Sequence, residues 1–110
     1  LTSFPSAIIC LKDADDLAVL KLNHAHILLC FSAAWCAPCR AMEGTLINTA
    51  FELADKAIVV KAEPERCHRL AAELGVRSIP AYVAINREVV SEPVYGIQTI
   101  TSLLDMIEAY

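Results

Sequence analysis

Cys36 and Cys39, two residues apart in Trp35-Cys36-Ala37-Pro38-Cys39-Arg40, are the side chains here best suited to chemistry. Thiols at that spacing either trade electrons as a dithiol–disulfide couple or supply half of a metal site. An apolar run, Ile27 to Phe31, precedes them, and a helical pattern begins at about Cys36. A structural zinc site needs four ligands, so Cys67 and His68 would have to complete it. Adjacent residues seldom turn both side chains to one ion, and the chain carries enough apolar residues to fold without metal. No metal and no bound cofactor are expected.

The redox reading has a positive mechanism. If Cys36 sits at a helix N-cap, its sulfur faces free backbone N–H groups and the positive end of the helix dipole. Both favour the thiolate, which is the attacking species. Cys39, one turn on, lies on the same side and is expected to be more buried. Cys36 can then attack a disulfide, and Cys39 can displace the product from the mixed disulfide. Pro38 fits a first turn but removes one N–H. A less stabilised thiolate leaves the disulfide form relatively favoured, so the pair should be a reductant rather than a strong oxidant.

Composition narrows the setting. The 110 residues suit a single domain, 1–110, and 56% hydrophobic with 20% charged residues suits a folded core. A net charge of −4 with nine scattered basic residues argues against nucleic acid. No apolar stretch approaches a bilayer span, and no signal-peptide pattern is visible. The five cysteines, at 10, 30, 36, 39 and 67, are an odd number in a core-rich chain, unlike a secreted disulfide scaffold. A reducing compartment, the cytoplasm, is expected. Cys10 and Cys30 stand inside apolar runs and read as small buried hydrophobes.

The positioning elements follow from spacing. Residues 1–5 read as an irregular lead-in, with Phe4 able to pack, and 7–11 as a short strand. Asp13 can cap a helix over 14–23, with Leu17/Leu20 and Ala18/Leu22 at helical spacing. His26 to Ser32 predicts a central strand covered on both faces. Helix is expected from 36 to 54, with Met42, Leu46, Ile47, Ala50, Phe51 and Ala54 on its inner face and a bend or tight contact at Gly44. A buried strand over 57–62 and a helix over 66–74, closed by Gly75, come next. Ile79-Pro80 leads directly into a strand, which fits a first strand position or an unusual turn, a cis peptide among the options. The strands 81–85 and 89–95 read as a hairpin, with Pro93 marking an edge or bulge. Thr99 or Thr101 caps a last helix carrying Ile100, Leu103, Leu104 and Ile107 on one face. The order β-α-β-α-β-α-β-β-α predicts an α/β fold, a mixed central sheet with helices on both faces.

At these residues the chain resembles the thioredoxin family. Trp35-Cys36-Ala37-Pro38-Cys39 is similar to the family's Trp-Cys-Gly-Pro-Cys, Val76-Arg77-Ser78-Ile79-Pro80 to its cis-proline loop, and Gly96 to its glycine after the last strand. The resemblance spans about the whole chain and implies a thioredoxin fold. It implies that Cys36 is the nucleophile, Cys39 the resolving thiol, and Pro80 the cis-proline facing them. It also implies an apolar docking patch of Trp35, Ala37, Pro38, Ile79, Gly96 and Ile97, with the Ile79 backbone pairing with substrate. Partners implied are disulfide-containing proteins and a flavoprotein thioredoxin reductase, with the chain a monomer that binds neither nucleic acid nor membrane.

Three departures stand out. Cys30 occupies the position where most of the family buries an aspartate beneath the pair, and Lys61, matching the family's lysine, lacks that carboxylate partner. A buried thiol is a poor proton acceptor, so slower resolution, or dependence on water as base, is expected. Cys30 as a third redox thiol is a sharper alternative to an inert core cysteine. Lys61-Ala62-Glu63-Pro64-Glu65, with a non-acidic residue at the buried site, is similar to thioredoxin-like domains of multidomain monothiol glutaredoxins, which serve docking and iron–sulfur handling. Retention of both cysteines favours dithiol exchange over that docking role. Cys67 reads as an exposed or half-buried thiol, or else a regulatory one activated by Arg66 and Arg69.

Overall fold

The computed structural model describes residues 8–110. In chain order the elements are β1 (Ile9–Cys10), α1 (Asp15–Asn23), β2 (His26–Phe31), α2 (Ala37–Ala41) and α3 (Glu43–Leu53). There follow β3 (Ile58–Ala62), α4 (His68–Glu73), β4 (Ala81–Asn86), β5 (Val89–Val90), β6 (Val94–Tyr95) and α5 (Ile100–Ala109). The lead-in expected over 1–5 and the first residue of the 7–11 strand lie outside the described residues.

β2 is the middle of the sheet. It pairs in parallel with β3 and antiparallel with β4, while β1 flanks β3 and both β5 and β6 pair with β4. The sheet is mixed. Its inner strands are mostly apolar and covered on both faces, as their near-continuous hydrophobic runs require. Ile27, Leu29 and Phe31 of β2 join Leu17 of α1 and Leu70 and Ala71 of α4 in one core. Leu28 and Cys30 turn the other way, onto Met42, Leu46, Ala50 and Leu53 with Leu103 and Ile107 of α5. Helices therefore cover both faces.

Several boundaries differ from the expected ones, each for a local reason. The single helix over 36–54 is two, broken at Met42, whose N–H turns to the Cys39 and Arg40 carbonyls. The bend falls two residues before Gly44, and a Cβ added at Gly44 would meet nothing within 4 Å, so no tight contact forms there. Ile47, Phe51 and Ala54 face solvent, and Thr49 takes an inner position by donating to the Thr45 carbonyl at 2.7 Å. On α1, Leu22 is 85% exposed and Ala18 is exposed too, leaving Leu17 and the half-buried Leu20 to pack. The Asp13 carboxylate accepts the Asp15 N–H at 2.9 Å, but Ala14 occupies the N-cap itself. After α4 the chain closes with Gly75 at φ +77°, its N–H on the Ala72 carbonyl and the Val76 N–H on that of Ala71. The 89–95 strand is split at Ser91–Pro93, and pairing with β4 slips by one residue across the gap, which makes a bulge. Thr99 caps α5 by accepting the Ser102 N–H at 3.0 Å.

Candidate functional site

The site forms where β2 ends. Beyond Phe31, the Ser32 N–H donates to the Ala62 carbonyl at 3.0 Å, holding the chain to β3 for one more residue. The Cys36 N–H then donates to the Ala33 carbonyl at 3.1 Å, and the Arg40 guanidinium to the Ala34 carbonyl at 2.9 Å. These three bonds hold the loop that presents Cys36. Cys36 is the N-cap of α2, with extended φ −92° and ψ 115°, and its Sγ accepts the Cys39 N–H at 3.3 Å. Pro38 stands at the second helical position and has no N–H to give, so this capping bond falls to Cys39. The two thiols thus share one end of one helix with unequal surroundings.

Cys36 is 7% exposed and Cys39 3%. Burial raises the Cys39 thiol above its ordinary range, and its link to the Cys36 sulfur raises it further. The Ala33 backbone and the Ser32 side chain pull in the opposite direction. A cavity of about 220 Å³ reaches Cys39 between α2 and β3, lined also by Ser32 and Lys61, with Arg40, Glu43 and Glu63 exposed around it. It gives the buried thiol a polar outlet.

The other expected residues distribute as follows. Trp35 is 70% exposed, and its indole N–H donates to the Glu65 carboxylate at 3.5 Å. Ala37 and Pro38 are exposed beside it. Ile79 is half-buried and packs on the cluster of Ala33, Cys36 and Cys39. The Ile79–Pro80 peptide is cis, and the buried Pro80 accepts the Gly96 N–H on its carbonyl at 2.9 Å. That bond brings Gly96, at φ +82°, and the exposed Ile97 to the same end of the sheet. Cys30 lies buried on β2 with Lys61 opposite on β3. Its thiol is pushed up to about 12 by burial, which the Lys61 charge opposes and Cys39 reinforces.

Two cysteines exchange the environments expected of them. Cys67 is 1% exposed rather than open, packed in the core beneath α4. Burial, then the Asp13 and Asp16 carboxylates, raise its thiol, and the Arg66 charge is too small a counterweight, so activation by Arg66 and Arg69 does not hold. Cys10, expected inside, is exposed because β1 is an edge strand of two residues whose side chains alternate. Among the described residues no group of three His, Cys, Asp or Glu side chains is placed to hold a metal ion.

Some contributors are invisible to local spacing. Glu65 meets Trp35 from thirty positions away. Tyr95 fastens the loop before Pro80, donating its hydroxyl to the Gly75 carbonyl at 3.0 Å and accepting the Arg77 N–H at 3.2 Å. Met42 accepts the Gln98 N–H on its sulfur at 3.4 Å, joining the helix break to the Gly96 loop. Tyr82 sits opposite Cys30 across the β2–β4 ladder. Strand alternation marks Tyr82 as inward once that register is known, and only then.

Comparison with known proteins agrees with this geometry. The thioredoxin family model matches residues 8–109. The thioredoxin of Haemophilus influenzae is 37% identical over 90 residues, which is 81% of this chain and 84% of that protein. The thioredoxin of Griffithsia pacifica is 36% identical over 78 residues, covering 70% and 72%. Among solved structures, a mutant thioredoxin from Halobacterium salinarum superposes with a TM-score of 0.86 at 28% identity, over 100% of this chain and 96% of that one. A helix-capping dithiol beside a cis-proline, on a mixed sheet with this order of strands, belongs with those relatives: the chain is a member of the thioredoxin family and a thiol–disulfide oxidoreductase.

Proposed function

We propose that this chain runs the exchange in the reducing direction, as a dithiol reductant of protein disulfides. The observation that carries the reading is the inequality of the two thiols. Cys36 caps α2 with its sulfur accepting the Cys39 N–H, while Cys39 is the more buried of the two and burial raises its thiol. The Cys36 thiolate attacks one sulfur of the substrate disulfide, forming a mixed disulfide and releasing the other sulfur as a thiolate that takes a proton from water. Cys39 then loses its proton through the cavity beside Lys61, and its sulfur attacks Cys36 Sγ. The Cys36–Cys39 disulfide forms, the second substrate thiolate leaves, and two electrons have passed to the substrate. A flavoprotein thioredoxin reductase returns the pair to the dithiol. Trp35, Ala37, Pro38, Ile79, Gly96 and Ile97 form the docking patch, and the Ile79 backbone beside Pro80 pairs with the substrate chain. Pro80 faces the pair, and Lys61 and Cys30 lie behind it, with water in the place of a buried carboxylate as base. The working form is a monomer in a reducing compartment, the cytoplasm. Among the described residues no helix is long and apolar enough to cross a membrane.

Insulin reduction driven by dithiothreitol tests this. The wild-type chain should accelerate precipitation well above dithiothreitol alone, Cys36→Ser should abolish the acceleration, and Cys39→Ser should accumulate a mixed disulfide. A wild-type rate equal to background, with Cys36 still open to alkylation, would leave a docking role and sink the reductase reading.

A further inference from the structure

The loop 75–80 brings Ile79 against Cys36 and Cys39, yet the middle of that loop makes no bonds of its own. Among the described residues the backbone N–H and carbonyl groups of Ser78 and Ile79 have no hydrogen-bond partner. Two fixed points bracket this open stretch. On one side the Gly96 N–H donates to the Pro80 carbonyl at 2.9 Å. On the other, the Arg77 N–H donates to the Tyr95 hydroxyl at 3.2 Å, and that hydroxyl donates in turn to the Gly75 carbonyl at 3.0 Å. Consecutive residues, Tyr95 and Gly96, therefore hold both limbs of the loop.

The sheet explains how Tyr95 reaches so far. It ends β6 and is the register partner of Ala81 on β4, so its side chain stands on the face of the sheet where Ala81 meets Leu70 and Ala71 of α4. From there the ring extends to the chain that leaves α4. A phenol oxygen can give one proton and accept another, so one atom serves both backbone groups, and phenylalanine would serve neither. Tyr95 is itself held: the Gln98 side-chain amide donates to its carbonyl at 2.8 Å, and the Gln98 N–H donates to the Met42 sulfur at 3.4 Å, at the helix break after Cys39. Gly75 and Arg77 are exposed, so water could take the place of the hydroxyl at both. The bonds are thus dispensable for folding, and what they fix is the position of the loop.

We propose that Tyr95 is a positioning residue for protein substrates: its hydroxyl latches the 75–77 limb so that the open Ser78–Ile79 backbone is already in place to pair with a chain running past Cys36. No proton is transferred and no electrons pass through it. A loop that must be ordered during docking weakens binding by the cost of that ordering, and one ordered beforehand does not. The latch therefore serves a polypeptide that pairs with this backbone, and is indifferent to a small disulfide that meets Cys36 alone. This inference rests on the dithiol reading above.

Single-turnover reduction of insulin tests it. The pre-reduced protein is mixed with increasing excesses of insulin and quenched in acid, and its remaining thiols are counted by alkylation. The dependence gives a limiting rate and a half-saturating insulin concentration. In Tyr95→Phe the half-saturating concentration should rise about fivefold, within the range of one or two ordinary hydrogen bonds, while the limiting rate stays as in wild type. The rate with Ellman's reagent and the urea midpoint should not change. Amide exchange should quicken at Arg77 and hold at Gly96. An unchanged half-saturating concentration or unchanged Arg77 exchange would overturn the proposal, and so would a fall in the limiting rate alone or equal slowing with insulin and Ellman's reagent. A wild-type dithiol that consumes Ellman's reagent but not insulin would overturn the reductase reading instead, a failure visible before any variant is made.

Discussion

A thiol starts from a higher pKa than a carboxylate and burial raises either one further, and the row behind the active site carries that difference at Cys30. Burial takes its pKa from the ordinary 9.0 to about 12, with Lys61 opposing and Cys39 adding to the shift. The protonated form is favoured by the fold, so the stability it brings is complete below pH 9.0 and is lost as pH rises toward about 12. The loss amounts to about 1.4 kcal/mol per pH unit across that window. In Cys30→Ala this increment is absent. Urea unfolding of the reduced proteins should therefore show the wild type losing stability faster than the variant as pH rises through the window. Parallel curves would mean that Cys30 ionises in the fold as easily as in the unfolded chain. The same property leaves Cys30 unable to take the Cys39 proton near neutral pH, and leaves the cavity that reaches Cys39 beside Ser32 and Lys61 as the route for water to that step.

At the scale of elements, the β4 ladder slips at the bulge between β5 and β6, and one side chain bridges it. The buried Ser91 hydroxyl accepts the Ala84 N–H at 2.8 Å while the Ser91 N–H donates to the Ala84 carbonyl at 2.9 Å, so β4 loses no partner where the ladder slips. Ser91→Ala leaves that N–H buried and unpaired, and should cost about 1–3 kcal/mol in urea unfolding. A loss below about 0.5 kcal/mol, the size of an ordinary surface change, would show that solvent reaches the Ala84 amide. The bulge was legible from Pro93, yet Ser91 was not, because the pairing register decides what a serine there can reach. The same limit runs through the molecule. Runs such as Ile27–Phe31 and the Thr99 cap are local signals, and local reading found them. Helical spacing shows that Ala18 and Leu22, or Ile47 and Phe51, share a face, but the sheet decides which face is covered. The Cys36–Cys39 spacing and Ile79-Pro80 were legible for the site, whereas Glu65, Tyr95 and Tyr82 reach it through contacts distant in sequence.

Over the whole molecule, one strand joins two cores. Leu28 of β2 packs under α3 and α5, on the side that carries Cys30 and Tyr82, and Leu29 packs against α1 and α4 on the other. Both are fully buried and consecutive in the chain, so the same few backbone bonds to β3 and β4 anchor both layers. Unfolding either layer exposes one side of β2 and weakens the ladder that the other layer needs. Leu28→Ala and Leu29→Ala should then each cost about 2–5 kcal/mol, the range for emptying a buried leucine site. In each variant, Trp35 fluorescence and far-ultraviolet circular dichroism should fall along one coincident urea transition, as two-state unfolding requires. Trp35 sits at the active-site end, tied to the loop after β3 through Glu65, so its signal reports on the end of the molecule where the dithiol is held. If Leu29→Ala separated the two signals, with Trp35 changing first, the α1–α4 layer would be melting by itself. The end of the molecule that holds the dithiol would then loosen with it, and thiol exchange in that variant should fail at urea concentrations that leave the far-ultraviolet signal largely intact.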